Sequence, residues 1–273
     1  AGRGTRRGPH FPRSADKMST DPSPFSLEGR SILVTGAYTG IGQGIAVAVA
    51  RAGAHVVGVG RSAMDETAAL VAAESGGFTP MACDLTDLEA ARATLNAAWQ
   101  ARSGLDGLVN NAGIIRRDDA VDVTEAAWDE VMDVNLKTAF FLSQAFGRLA
   151  LSRPQPRGAI VNIASLLSFQ GGIRVAAYTA SKHGIAGITR ILANEWAAKG
   201  INVNAVAPGY IVSNNTQALR ADPDRSAAIL ARIPAGRWGT PGDIGGAVTF
   251  LLSPAAGYVH GTILPVDGGW LAR

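Results

Sequence analysis

From residue 31 onward, two hydrophobic rhythms alternate along the chain. Short runs of aliphatic and β-branched residues recur between longer stretches whose apolar side chains fall at helical spacing. The runs at 31–35, 55–60, 79–83, 107–110, 159–164, 202–207 and 262–266 predict seven strands. Helical patterns cover 42–52, 65–74, a segment opened by Thr86 and Glu89 in a capping-box arrangement and ending near Arg102, a long stretch over 125–151, then 178–199 and 243–252. Pro154-Gln155-Pro156 stops the long helix before the next strand. Strand, helix and strand in repetition argue for an α/β fold: a parallel, doubly wound sheet with helices on both faces. The stretch 208–239 is polar and punctuated by Pro and Gly, and is expected to be an irregular lid. Residues 25–273 are expected to form one domain, without repeats, and residues 1–24 a disordered or artificial tail.

Composition narrows the class. A chain of 273 residues with 47% apolar side chains can bury one substantial core. No apolar run reaches the roughly 18 to 20 residues that a membrane span requires, so a soluble protein without membrane partners is expected. The single cysteine, Cys83, cannot pair within the chain, and no Cys/His cluster suggests a metal; a reducing, cytoplasmic setting fits. The formal charge of +3 is misleading: residues 1–17 alone carry +4, leaving about −1 for the rest. That segment precedes Met18 and reads as an extension, or alternatively as a basic targeting arm. With it set aside no basic stripe survives, and nucleic-acid binding is disfavoured.

Candidate chemistry begins at Tyr178 and Lys182. Positions i and i+4 share a helix face, so an ammonium can sit beside the phenol. A nearby cation favours the phenolate, which otherwise forms only near about pH 10. Tyr178 could then exchange a proton with an alcohol or carbonyl oxygen, and Ser165, closing the strand at 159–164, could hold that oxygen. Alone, Tyr-x-x-x-Lys is a weak signal; the surrounding chain gives it weight.

The turn Thr35-Gly36-Ala37-Tyr38-Thr39-Gly40-Ile41-Gly42 falls between the first strand and the first helix. There glycines permit a tight turn and close approach to a pyrophosphate, whose charge the helix N-terminus meets. Gly36, Thr39, Gly40, Ile41 and Gly42 are therefore candidates for nucleotide contact. Asn110-Asn111-Ala112-Gly113 ends strand four, where small residues leave room for the nucleotide, and Asp84, followed by Leu85, is placed to meet an adenine amino group. NAD-selective folds commonly put an acid at the end of strand two; here stands Gly60-Arg61-Ser62. Arg61 could pair with a 2′-phosphate, or only stack on adenine or face water.

Taken together, the Thr35–Gly42 turn, Asn110–Gly113, Asn135, Ser165, Tyr178 with Lys182, and Pro208-Gly209 resemble the short-chain dehydrogenase/reductase family, from about Phe25 to Arg273. The resemblance implies a Rossmann fold, NAD(P)-linked chemistry and usually a homotetramer. It implies that Tyr178 donates and accepts the proton, that Ser165 steadies the substrate oxygen, and that Lys182 binds the nicotinamide ribose and lowers the phenol pKa. Asn135 would hold a water linking the lysine to solvent, and Asn111, Ala112, Gly113, Pro208, Gly209 and Ile211 would line the nucleotide site.

The segments 113–118, 165–175, 208–217, 232–239 and 266–273 are further similar to the 2-deoxy-D-gluconate 3-dehydrogenase group, also named 2-dehydro-3-deoxy-D-gluconate 5-dehydrogenases. That implies a deoxy sugar acid interconverted between secondary alcohol and ketone. The group is usually NAD-linked, against the leaning of Arg61, so the cofactor stays NAD or NADP. Arg116 and Arg174 are candidates for the substrate carboxylate, and Gln170, Asn214 and Gln217 for its hydroxyls. The competing readings are a family reductase for another ketone, such as gluconate or a steroid, and a nicotinamide-binding sensor without catalysis.

Overall fold

The computed structural model describes residues 23–272; most of the expected tail, 1–22, lies outside the described residues. Among them the strands are β1 (Ser31–Thr35), β2 (His55–Gly60), β3 (Gly77–Ala82), β4 (Gly107–Asn110), β5 (Gly158–Ile163), β6 (Ile201–Pro208) and β7 (Ile263–Val266). They form one sheet in the order β3-β2-β1-β4-β5-β6-β7, every pair parallel. The chain leaves β1 for β2 on one side and resumes at β4 on the other. That reversal opens a crevice at the carboxyl ends of β1 and β4, the usual ligand position in such sheets.

The helices are α1 (Gly40–Arg51), α2 (Asp65–Ala73), α3 (Leu88–Ala101), α4 (Glu125–Met132), α5 (Ala139–Leu151), α6 (Ala176–Trp196), α7 (Gln217–Ala221), α8 (Pro223–Leu230) and α9 (Pro241–Leu252). Strand alternation feeds two cores. Ile32, Val34, Val56 and Val161 pack with Ile45 and Val49 of α1 and Ile244 and Val248 of α9. Leu33, Val57 and Ile160 point the other way, against Leu95 of α3, Phe146 of α5 and Leu192 of α6. Each such side chain, fully buried, contributes roughly 1.5–3 kcal/mol.

Four local expectations are corrected. The helix expected over 125–151 is interrupted: Asp133–Thr138 forms a π-helical turn between α4 and α5. Apolar periodicity does not register a single widened turn, because the flanking helices remain in continuous register with the core. The capping box at Thr86 and Glu89 is absent; Asp87 caps α3, its carboxylate accepting from the N–H groups of Glu89 and Ala90 at 3.0 Å each. Thr86 is instead occupied with Asp84. Strand β3 begins two residues early at Gly77 and stops before Cys83. The stretch 208–239 is not wholly irregular: Asp222 caps α8 by accepting from Asp224 and Arg225 N–H groups, and Pro223 supplies the preset φ of a first helical residue.

Candidate active site

The glycine turn is fixed by its neighbours before any ligand is considered. Thr35 Oγ1 donates to Val109 O at 3.2 Å and accepts from the N–H groups of Asn111 and Ala112 at 3.0 Å each, tying the ends of β1 and β4 together. Asn111 Nδ2 donates back to Thr35 O at 2.9 Å. A Cβ at Gly42 would strike the Gly36 carbonyl, so glycine there lets α1 start directly against the turn. Thr39 caps α1 without a side-chain hydrogen bond, and the first turn carries no acidic residue. Among the described residues, no side chain caps that helix start or places an acid in its first turn against an anion.

A cleft runs along the carboxyl ends of the strands. Every residue expected to meet a nucleotide lines it, from Gly36, Thr39, Gly40, Ile41 and Gly42 through Arg61, Asp84, Leu85 and Asn111–Gly113 to Pro208, Gly209 and Ile211. Ser165, Tyr178 and Lys182 line it as well. At one end Arg61 Nη1 stands 3.9 Å from Asp84 Oδ2. The Asp84 carboxylate lies below its ordinary pKa, chiefly through hydrogen bonds from the Thr86 N–H and hydroxyl, with Arg61 a smaller influence.

At the other end α6 presents Tyr178 and Lys182 to the same space. Asn110 Nδ2 donates to Asn162 Oδ1 at 2.8 Å, Asn162 Nδ2 to Thr189 Oγ1 at 2.9 Å, and Thr189 Oγ1 to Ile185 O at 2.7 Å. This buried chain locks α6 to β5 and β4. It sets Lys182 Nζ to donate to the Ile163 carbonyl at 2.6 Å, with the ammonium 5.5 Å from the Tyr178 ring centroid. Burial pushes Lys182 down to about 8, so at neutral pH it stays mostly protonated. Ser165, extended just past the end of β5, accepts from Leu167 N at 3.1 Å and lines the same cleft as Tyr178.

The electrostatics of Tyr178 differ from the sequence expectation. Burial raises its phenol above the usual value, the Ser165 hydrogen bond draws it down, and the cation acting on it is Arg117. Lys182 is itself desolvated and directs its proton at Ile163, so the helical spacing alone overstated its hold on the phenol.

Asn135 lies in the π turn, only 1% exposed. Its Oδ1 accepts from Ile114 N at 2.8 Å, and its Nδ2 donates to Ile114 O at 2.9 Å and to Ser181 Oγ at 3.2 Å. Rather than facing the cleft, it pins the backbone of Ile114, which does.

Of the five expected substrate residues, only Asn214 lines the cleft. Arg116 is clamped by Glu130, Nε at 3.0 Å and Nη2 at 2.6 Å. Arg174 reaches Asp119 at 3.2 Å. Gln170 Oε1 accepts from Trp270 Nε1 at 3.4 Å, and Gln217 opens α7. Sequence reasoning missed Arg117, whose Nη2 donates to Asn215 O at 3.0 Å, bridging the loop after β4 to the stretch 208–239, while its charge reaches Tyr178. In a loop without periodicity, nothing distinguishes Arg117 from Arg116. Tyr38, Glu130, Ser213 and Asn215 were missed likewise, though all line the cleft.

Such a cleft can hold a dinucleotide along the glycine turn and bring a carbonyl or alcohol oxygen to Ser165 and Tyr178 for proton exchange. A family profile described as enoyl-(acyl carrier protein) reductase matches residues 36–271. The chain is 52% identical over 251 residues to the 2-dehydro-3-deoxy-D-gluconate 5-dehydrogenase of Escherichia coli (strain K12), covering 92% of this chain and 99% of that one. To the protein of the same name from Bacillus subtilis (strain 168) it is 54% identical over 250 residues, covering 91% and 97%. Among solved structures it resembles a candidate 2-deoxy-D-gluconate 3-dehydrogenase from Agrobacterium tumefaciens with bound NADP: TM-score 0.87, 62% identity, 92% and 99% of the two chains.

Proposed function

The chain belongs to the short-chain dehydrogenase/reductase family, and from that premise we propose that it interconverts a secondary alcohol and a ketone on a deoxy sugar acid, using NAD or NADP. The observation that carries this reading is that Ser165, Tyr178 and Lys182 share one cleft with the glycine turn, the Lys182 ammonium 5.5 Å from the Tyr178 ring centroid. The names of the two enzymes from E. coli and B. subtilis make 2-dehydro-3-deoxy-D-gluconate the first compound to test.

In this reading Ser165 positions the substrate oxygen, and Tyr178 takes its proton during oxidation or returns it during reduction. Such general acid–base assistance contributes about 10² to 10⁴ in rate. A bound nicotinamide supplies the hydride chemistry. The fit for it rests on the uncapped start of α1 and on Gly42, whose missing side chain opens the turn. Lys182 keeps a buried positive charge beneath the phenol and is the group placed to bind the nicotinamide ribose. Asn135 holds the Ile114 backbone in the cleft wall. Arg117 assists ionisation of Tyr178 and is the cation we assign to the sugar-acid carboxylate, in place of Arg116 and Arg174.

We further read residues 25–273 as one domain with a lid over 208–239, acting as a homotetramer in the cytoplasm. Supporting the assembly are apolar side chains left exposed on α4 and α6, Trp128 and Ile191. Among the described residues no helix is long and apolar enough to cross a membrane.

The test is a panel of sugar acids with each nicotinamide cofactor, followed by its absorbance. Turnover of a deoxy sugar acid, lost in Tyr178→Phe while the cofactor still binds, is the expected result. Turnover of steroid ketones but of no sugar acid would overturn the substrate assignment, and unchanged activity in Tyr178→Phe would overturn the mechanism.

A further inference from the structure

Gly60 ends β2 where NAD-selective dinucleotide folds place an acidic side chain against the ribose diol. Its backbone does not call for glycine. It pairs with Ala82 in the parallel ladder, its carbonyl accepts from Cys83 N at 3.0 Å, and it is not among the residues of positive φ. What a side chain would meet there is Tyr38. A Cβ on Gly60 would stand 2.9 Å from Tyr38 Cδ1 and 3.5 Å from Cε1. The shorter distance lies well inside the optimal carbon–carbon separation of about 3.5–4.0 Å.

The ring is backed by the core, and the turn that carries it is fixed. Tyr38 packs on the core formed by α1 and α9, and the residues around it are pinned on two sides. Gly36 N donates to Val59 O at 2.7 Å, and Thr67 Oγ1 donates to Ala37 O at 2.9 Å. Tyr38, Gly60 and Arg61 all line the cleft.

We propose that Tyr38 is a cofactor-selectivity residue: its ring fills the space into which a ribose-binding carboxylate would grow, holding position 60 to glycine and leaving Arg61 as the charge offered to a 2′-phosphate. The site therefore favours NADP(H) over NAD(H). A guanidinium pairs well with phosphate, and no carboxylate at position 60 repels it. Asp84, 3.9 Å from Arg61, is occupied by Thr86 in its own turn. This inference rests on reading the cleft as a nicotinamide-dinucleotide site.

A double-mutant cycle tests it through equilibrium binding of NADP⁺ and NAD⁺, measured calorimetrically without sugar acid. The unaltered protein is expected to prefer NADP⁺. Gly60→Asp alone should weaken both dinucleotides, because carboxylate and ring compete for one space. Adding Tyr38→Ser should restore NAD⁺ binding and move the preference toward NAD⁺ at least about tenfold further than Gly60→Asp does by itself. A smaller coupling, or a preference for NAD⁺ in the unaltered protein, overturns the proposal. Tyr38→Phe keeps the ring and should behave as the unaltered residue in the cycle; if it acts like Tyr38→Ser, the ring's bulk is not the cause and the proposal falls. Should Gly60→Asp fail to fold, Gly60→Ala carries the same cycle, with lost binding relieved by Tyr38→Ser as the expected result and no relief as the refuting one. Failure of the unaltered protein to bind either dinucleotide overturns the proposed function itself, whereas binding without coupling overturns only the role of Tyr38.

Discussion

Arg117 acts on Tyr178 from outside the helix that carries the phenol: its charge pulls the phenol pKa down while its Nη2 is held 3.0 Å from Asn215 O. Burial works in the opposite direction and is the larger influence. Oxidation of an alcohol needs the phenolate, so its rate should rise with pH along a limb set by Tyr178. Arg117→Met removes the favourable charge and keeps much of the side-chain volume. The limb is then expected to move to higher pH, and at neutral pH oxidation should slow by about tenfold for each unit of displacement. The pH profile of kcat for both proteins checks this; a limb that stays in place while only KM rises would leave Arg117 with substrate binding alone.

Lys182 makes a separate prediction, in stability rather than rate. Its folded pKa of about 8 lies below the ordinary lysine value of 10.5, so between these pH values the unfolded chain binds more protons than the folded one. Stability gained from this group must therefore increase as pH rises through that window, and the full cost of burying the charge is felt below it. The difference corresponds to about 3 kcal/mol, reduced in practice by the Ile163 hydrogen bond that the ammonium keeps. Thermal unfolding of the protein and of Lys182→Met across pH 7 to about 10 should show the unaltered protein gaining on the variant as pH rises. Parallel curves would refute the depressed pKa.

Asn135 shows how much of the site was legible in the sequence. The residue was recognisable from its motif, and the strand and helix order placed Ser165, Tyr178 and Lys182 beside one cleft because parallel strands deliver their carboxyl ends to the same edge. What Asn135 touches was not legible, since it depends on a π turn that leaves no mark in hydrophobic spacing. The same holds for the arginines: Arg116, Arg117 and Arg174 occupy loops, where no period says what each side chain meets, and their partners Glu130, Asn215 and Asp119 are remote or unmarked in sequence. The helices within 208–239 were hidden because α7 and α8 span only 5 and 8 residues, too few turns for an apolar period to stand out among the Pro and polar positions.

The pairing of Asn135 with both backbone groups of Ile114 predicts a particular failure. Asn135→Ala leaves the Ile114 N–H and carbonyl without their partners at 2.8 and 2.9 Å, and strips Ser181 Oγ of a donor. Leaving a buried backbone group unsatisfied costs about 1–3 kcal/mol. The variant should unfold at a lower temperature and, because Ile114 lines the cleft, should also bind the dinucleotide less tightly. Loss of activity at unchanged melting temperature and unchanged dinucleotide affinity would assign Asn135 to proton transfer instead.

The last prediction concerns the segment that leads from the stretch 208–239 into α9. Asp243 accepts from Thr240 N at 2.6 Å and Thr240 Oγ1 at 2.8 Å, while the Arg237 guanidinium grips its two oxygens at 2.8 Å each. The Arg237 hydrogen bond, followed by that from Thr240 N–H, holds the carboxyl far below its ordinary value. A depressed folded pKa contributes stability that is present above the unfolded value near 3.8 and is lost as pH falls below it. Because the pair is partly solvent-exposed, screening keeps the ionic part small, and what Asp243→Ala also removes is the reciprocal capping-box bond to Thr240 N. Asp243→Ala is therefore expected to lower the melting temperature at neutral pH, with the gap from the unaltered protein narrowing in acid. Since Thr240 and Pro241 follow closely on Trp238, whose ring packs edge-on against Tyr210, limited proteolysis should also cut the variant faster between 212 and 239. An unchanged melting temperature together with an unchanged cleavage rate would show that α9 starts without this cap and that the stretch 208–239 is anchored elsewhere.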